Sequence, residues 1–436
     1  MNSFDPLELA GAAQRRATTP DQSAWVEANA GTGKTKVLTD RVTRLLLAGV
    51  LPERILCLTF TKAAAAEMRN RLAAQLGRWA MADDATLGKE IAALIAEVPQ
   101  AEQRSLARRL FARVLDAPGG IQILTIHAFC QALLKRFPLE ADVPPGFDVM
   151  DEAEATTLLR QAQDEQVEAL AQPQAPEILR IALATVASRI SVVEYAELMA
   201  RLLAERAWLL ARIVDETGLK RLGRQLRKRL DCEQVSPLDE AALREAARAL
   251  IEAGGKTDGP KGQKIADWLA DDRDDLSVTY REVFFTKQGQ VAKRLATQAA
   301  VKRLANITDI LAAEAARLEC ARGLALVELT LSLLRLGLDI TRRFAAAKRR
   351  RGVLDYDDLI VATRRLLGTS QSAAWVLYKL DGGIDHVLVD EAQDTNPDQW
   401  EVIRKLTEEF FAGESANPRE RTIFAVGDTK QSIFGF

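Results

Sequence analysis

The segment Ala28-Asn29-Ala30-Gly31-Thr32-Gly33-Lys34-Thr35 has the residue types and spacing of a phosphate loop, G-x-x-x-x-G-K-[ST], with Ala28 at the first glycine position. Gly31 and Gly33 let the backbone curl so that successive N–H groups point at one anion. A helix beginning near Lys34 aims its positive end at the same place. The Lys34 ammonium can reach the β- and γ-phosphates of a nucleotide, and the Thr35 hydroxyl can ligate Mg2+. A second segment supplies the partner such a loop needs: the apolar run Val387-Leu388-Val389 delivers Asp390 and Glu391. Asp390 would hold Mg2+ through water and Glu391 would polarise the attacking water. Alone, an acidic strand end is usually a helix N-cap or a solvated turn, and Asp394, just before Thr395-Asn396-Pro397, reads as such a cap. Next to a phosphate loop, the catalytic reading of Asp390 and Glu391 prevails.

Three further segments are weaker by composition. They are Thr59-Phe60-Thr61-Lys62 with the alanine run and Glu67-Met68-Arg69 after it, Thr125-Ile126-His127-Ala128-Phe129, and Gly427-Asp428-Thr429-Lys430-Gln431 through Phe434 and Phe436. By type alone, Phe60 and Phe129 are more often core than base-stacking platforms, and His127 is more often a satisfied core histidine. Position raises all three segments. Each follows a strand candidate, and ligands gather at the carboxyl ends of parallel strands.

The elements that must position these residues are legible as alternating strands and helices. Ala24–Ala28, Ile55–Phe60 and Ile121–Thr125 read as strands. Lys34–Ala48 reads as a helix with Val37, Leu38, Val42, Leu45 and Leu46 on one face. Such alternation implies βαβ units and a parallel sheet, hence an α/β fold. Residues 151–350 differ: they are rich in Ala, Leu, Arg and Glu and offer no convincing strand. Turns are expected at Gln172–Pro176, Gly254–Gly262 and Lys287–Gly289. Gln298–Arg351 contains no proline and predicts one very long helix or two in series, closing on the basic run Lys348–Arg351. That run suits a helix C-terminus as well as it suits a nucleic-acid patch. Lys287, Lys293, Arg294, Lys302 and Arg303 likewise read equally as phosphate contacts or as a solvated face. Strands resume at His386–Asp390 and Thr422–Val426. The reading is one α/β domain (1–150 and 351–436) interrupted by a helical domain (151–350). A stop directly after a strand and loop suggests a truncated chain.

Composition bounds the rest. The 436 residues carry 59 Lys plus Arg against 61 Asp plus Glu, a net charge of -2, so any nucleic-acid surface is a local patch. Hydrophobic residues at 48% exclude wholesale disorder. The N-terminus lacks a basic stretch followed by an apolar one, which argues against secretion. Cys57, Cys130, Cys232 and Cys320 are scattered without a CxxC pair, which argues against a zinc site or a disulfide framework and fits a reducing cytoplasm. With His127 and His386 the only histidines, a His-rich metal site is excluded.

Taken in order, ANAGTGKT, TFTKAAAAEMRNR, TIHAF, VDEAQD and GDTKQSIFGF resemble motifs I, Ia, the next DNA-contacting motif, II and III of the UvrD-like superfamily 1 DNA helicases. Leu354–Leu359 (LDYDDL) is similar to another segment of that family. The wording of three segments, WVEANAGTGKTKVLTDRV, TIHAFCQALLKRFPLEADVPPGF and AVGDTKQSIFGF, is closest to its helicase–nuclease branch, which works with a partner protein in double-strand-break repair. The resemblance implies a RecA-like ATPase domain, ATP and Mg2+ as cofactors, single-stranded and duplex-end DNA as partners, and 3′-to-5′ movement. By that resemblance Lys34 and Thr35 bind phosphate and Mg2+, while Asp390 and Glu391 coordinate Mg2+ and activate water. Gln431 senses the γ-phosphate. Gln14, 20 residues before Lys34, reads adenine, with Gln22 as the lesser candidate. Thr59, Phe60, His127, Phe129, Phe434 and Phe436 match positions lining single-stranded DNA, where aromatic rings stack on bases without reading sequence.

Nothing in the chain matches the family's second RecA-like domain, its motifs IV to VI with their arginine finger, or the nuclease. An arginine finger is worth on the order of 10³–10⁵ in rate, so slow hydrolysis and no unwinding are expected of this chain by itself. Two other classes share part of the pattern. A P-loop ATPase acting as a switch uses Lys34 and Asp390 but leaves TFTKAAAAEM and TIHAF without a purpose. A scaffold that only docks a partner leaves the intact Lys34, Thr35, Asp390 and Glu391 without one.

Overall fold

A computed structural model describes residues 6–27, 33–206, 209, 212–213, 215–271, 274–275, 277–368, 373, 375–377, 379, 383–410, 420–428 and 430. They fall into two compact units, one formed by Met1–Ala155 with Lys348–Phe436 and the other by Thr156–Ala347.

The first unit is built on a five-stranded sheet. Its strands are β1 (Ala24–Glu27), β2 (Ile55–Thr59), β3 (Gln122–Thr125), β6 (His386–Val389) and β7 (Thr422–Gly427), in the order β1-β7-β6-β2-β3. Every pairing is parallel, with Ala24 opposite Phe424, His386 opposite Thr422 and Ile55 opposite His386. The side chains of β2 and β6 are buried throughout, as a sheet covered on both faces requires. Alternate residues feed two cores. Ile55, Cys57, Leu388 and Phe424 pack with α2 (Lys34–Leu47), α3 (Lys62–Met81), α4 (Asp84–Ile95) and α5 (Ala101–Asp116). Leu56, Leu58, Val387 and Val389 pack with α6 (Ile126–Arg136) and with the helices Tyr356–Gly368 and Pro397–Thr407. A second, two-stranded sheet pairs β4 (Asp148–Val149) with β5 (Val353–Leu354).

The second unit is helical. Apart from one antiparallel bridge between Phe285 and Val291, no strand occurs among its described residues. Its axis is the helix Ile307–Arg351, 45 residues and therefore about 68 Å long. Of the two readings of Gln298–Arg351, two helices in series is the one found: Gln298–Arg303 ends where Leu304 adopts an extended conformation. The turn expected at Gly254–Gly262 is shorter, because the helix Asp258–Ala270 starts inside it. The buried Asp258 carboxylate accepts the Thr297 N–H at 3.3 Å and pairs with the Thr297 hydroxyl, a tertiary tie that no local pattern announces.

The cysteine reading is also corrected. Cys232 and Cys320, 88 residues apart with Cα atoms 5.8 Å apart, are joined as a disulfide. The pair has no sequence signature, because only the folding of the segment after Glu216–Arg229 onto the long helix brings it together. Cys57 and Cys130 are free and buried. Among the described residues no helix is long and apolar enough to cross a membrane.

Candidate functional site

Because all five strands of the large sheet are parallel, their carboxyl ends share one edge. From it emerge Phe60, His127, Asp390 with Glu391, and Asp428. Ala28, Asn29, Ala30, Gly31 and Thr32, and Gln431, Phe434 and Phe436, lie outside the described residues. Gly33 closes the loop as the N-cap of α2 at φ 88°, a left-handed conformation in which any Cβ is strained. Lys34 and Thr35 form the first turn of that helix.

The two strongest motifs meet in one ion pair. Lys34 Nζ lies 2.8 Å from Glu391 Oε2, across 357 residues of sequence. Glu391 has φ 49°, an uncommon backbone for a residue with a side chain and the kind of outlier found at functional sites. Its Oε2 also accepts Gln393 Nε2 at 2.7 Å. Burial pushes the Glu391 carboxyl up, but hydrogen bonds from Gln393 and Lys34 outweigh it and hold the pKa below the ordinary range. Asp390, 6% exposed, behaves oppositely. Burial first, and then the Glu391 charge, raise its pKa to about 6, although it accepts the Glu391 N–H at 3.1 Å and feels Lys34. The site thus holds two adjacent carboxyls whose pKa values move in opposite directions.

Gln393 is the residue sequence reasoning missed. Beside its bond to Glu391, its Oε1 accepts the Asp428 N–H at 2.8 Å and so ties VDEAQD to the end of β7. Gly427 makes that approach possible: a Cβ there would lie 2.9 Å from Gln393 Oε1. The glycine of GDTK was visible in the sequence, but its partner was not. The cap of Pro397–Thr407 is Asn396, whose side chain accepts the Gln399 N–H at 2.8 Å, and not Asp394 as expected; Asp394 lies one turn earlier, in a 3-10 turn.

The remaining candidates divide. Phe60, directly after β2, is 43% exposed. His127 is half-buried in the first turn of α6, its ring edge-on to Tyr356 at 5.2 Å. Burial lowers its pKa, against the pull of Asp357. Phe129 is 4% exposed and belongs to the stripe Phe129, Cys130, Leu133, Leu134 that α6 turns into the core. Thr59 is 3% exposed, its hydroxyl donating to the Thr61 carbonyl at 3.1 Å. Helical and strand periodicity point both of these side chains inward. Gln14 is half-buried on α1 (Pro6–Ala17); the Gln22 carbonyl is bound by Arg41 at 2.8 Å, at the sheet's opposite pole. In the basic run, Lys348 is buried, donating to Asp355 at 2.8 Å and pairing with Asp358 of LDYDDL. Arg303 pairs with Glu252, while Lys287, Lys293, Arg294 and Lys302 are exposed.

The ATP-dependent helicase/nuclease protein AddA of Enterococcus faecalis is 25% identical over 459 residues, covering 95% of this chain and 34% of the relative. The AddA proteins of Moorella thermoacetica and Latilactobacillus sakei are each 28% identical, covering 97% and 96% of this chain and 32% and 49% of their own lengths. The chain therefore spans about a third to a half of these relatives. The profile of the UvrD/REP helicase N-terminal domain matches residues 10–436, and the chain belongs to that family.

Proposed function

We propose that the carboxyl edge of the large sheet is the ATP-binding half of a RecA-like DNA motor, an AddA-like helicase moving 3′ to 5′ in double-strand-break repair. The observation that carries this reading is the ion pair of Lys34 with Glu391, which brings the phosphate loop and the acidic strand end together. Gly33, Lys34 and Thr35 hold the phosphates, with Ala28–Thr32 completing the loop. Thr35 and Asp390 are hard oxygen donors suited to Mg2+, which when bound offsets the charge of the phosphates. Without nucleotide, Lys34 rests on Glu391. When a γ-phosphate takes Lys34 over, the Glu391 carboxylate is released to accept a proton from water, with Gln393 still orienting it. Gln14 is assigned to adenine and Gln431 to γ-phosphate sensing.

The DNA track is assigned to the same edge. Phe60, as an exposed ring, and His127 beside Tyr356 supply stacking surfaces there, with Phe434 and Phe436. The helical unit is the insertion that flanks the DNA. The partners are single-stranded DNA, duplex ends and an AddB-like protein, in the cytoplasm. A second motor domain supplies the arginine that completes the site.

The test is binding of a fluorescent ATP analogue and of oligo-dT. Lys34→Ala should abolish nucleotide binding and leave oligo-dT binding intact. Phe60→Ala should weaken oligo-dT by about 1–3 kcal/mol and spare the nucleotide. Failure of the unmodified chain to bind nucleotide would sink the motor reading and favour a scaffold.

A further inference from the structure

The helix Ile307–Arg351 ends on four basic residues of two kinds. Arg349, Arg350 and Arg351 are exposed, whereas Lys348 is 5% exposed. An ammonium taken out of water needs close anionic partners. Lys348 Nζ donates to Asp355 Oδ2 at 2.8 Å and pairs with Asp358. The chain reaches these carboxylates by reversing at Gly352, φ 66°, and running through β5, where the Met150 N–H donates to the Leu354 carbonyl at 2.9 Å.

The same two carboxylates cap the helix Tyr356–Gly368. Asp355 Oδ1 accepts the Asp358 N–H at 2.9 Å, and Asp358 Oδ2 accepts the Asp355 N–H at 3.1 Å. The arrangement is a reciprocal capping box. A box of serine and glutamate carries one charge; this one carries two, both largely out of water. Burial, and then the Asp355 charge, push the Asp358 pKa up, against the pull of Lys348. Like charges this close repel, so the box needs a cation across it. Further along, Leu359, Ile360, Leu366 and Leu367 anchor the helix in the core shared with Phe129 and Leu133 of α6. The box therefore governs the first turn alone. That turn begins with Tyr356, 38% exposed and edge-on to His127.

We propose that Lys348 is a positioning residue: by neutralising the Asp355–Asp358 cap it holds the Tyr356 ring against His127 and so sets the stacking surface offered to single-stranded DNA. The proposal rests on the DNA-track reading for its ligand, but the placement of the ring can be read without DNA.

With His127 and His386 the only histidines, NMR of the chain isotope-labelled at histidine Cε1 gives a direct test. His127 feels the Tyr356 ring, whereas His386, buried at the start of β6, reports on the sheet. Lys348→Met should move the His127 resonance to where Tyr356→Leu puts it and leave that of His386 in place. It should also weaken oligo-dT binding by roughly fivefold to a hundredfold, the range of one lost stacking contact. In a Tyr356→Leu background it should weaken binding no further, because the two changes remove one interaction. The neutral-cap variant Lys348→Met, Asp355→Asn, Asp358→Asn keeps the capping acceptors without their repulsion. It should return both the His127 resonance and the oligo-dT affinity to those of the unmodified chain. The proposal is overturned if Lys348→Met leaves the His127 resonance unmoved, if its loss of oligo-dT affinity adds fully to that of Tyr356→Leu, or if the neutral-cap variant restores neither readout. Should Lys348→Met alone not fold, the neutral-cap variant decides by the same two readouts. An unmodified chain that binds no oligo-dT sinks the DNA-track reading, while the histidine resonances still decide whether Lys348 places Tyr356.

Discussion

Glu391→Gln should leave nucleotide bound while slowing its hydrolysis by about 10²–10⁴, the range a positioned general base contributes. The amide keeps the size of the side chain and can still accept from Lys34, so the left-handed backbone at φ 49° and the turn around it need not change. What disappears is the negative charge. Two results follow from that one loss. Hydrolysis in a single-turnover assay falls because nothing at that position can take the proton of the attacking water. Nucleotide affinity rises modestly, because Lys34 exchanges a neutral partner for phosphate more easily than an anionic one. An unchanged single-turnover rate would mean that Glu391 is only the resting counter-ion of Lys34.

At the opposite pole of the sheet, His386 should make the fold acid-sensitive. Its Nδ1 lies 2.8 Å from Thr422 Oγ1, which also accepts Arg41 Nη2 at 2.9 Å. Burial, and then the Arg41 charge, lower the His386 pKa to about 4, although Asp385 pulls the other way. The sign is fixed by which state binds protons. Below the ordinary histidine range the unfolded chain takes up a proton that the folded chain refuses, so this contribution is whole above about pH 6.5 and is lost as pH falls toward 4. The span corresponds to at most about 3 kcal/mol. Asp390, raised to about 6, acts in the opposite direction over nearly the same window, so the native chain hides much of the effect. The expected result is a difference: relative to the native chain, His386→Gln gains up to about 3 kcal/mol in urea-unfolding stability between pH 7 and 4. A difference that does not change with pH would show that His386 titrates normally.

The sequence carried the sheet because its strands are short apolar runs ending in chemically distinctive residues, and buried parallel strands have few other ways to be written. It also carried the ion pair's two members, since Lys34 and Glu391 belong to patterns with a known mechanical purpose. Thr59 and Phe129 were read by adjacency, and the fold turns both side chains inward. Being next to a strand end brings a residue to the right edge, but the phase of the helix or strand decides whether its side chain faces out. Gln393, the Asp258–Thr297 tie and the Cys232–Cys320 bond were invisible for a different reason. Each joins segments that only tertiary folding brings together, and no local period encodes such a meeting.

The strand order also bears on how the chain acquires its structure. β1 and β2 are not neighbours; β7 and β6 stand between them, and Ala24 finds its partner at Phe424. On a ribosome adding about 5–20 residues per second, roughly 15–60 s separate the emergence of β3 from that of β7. Throughout that wait β1 has no partner strand, and until β6 emerges β2 has an open side. The helical unit, continuous in sequence from Thr156 to Ala347, can form in the meantime. Sheet completion is therefore a late step, and agents that slow elongation would prolong the exposure of its unpaired strands to aggregation.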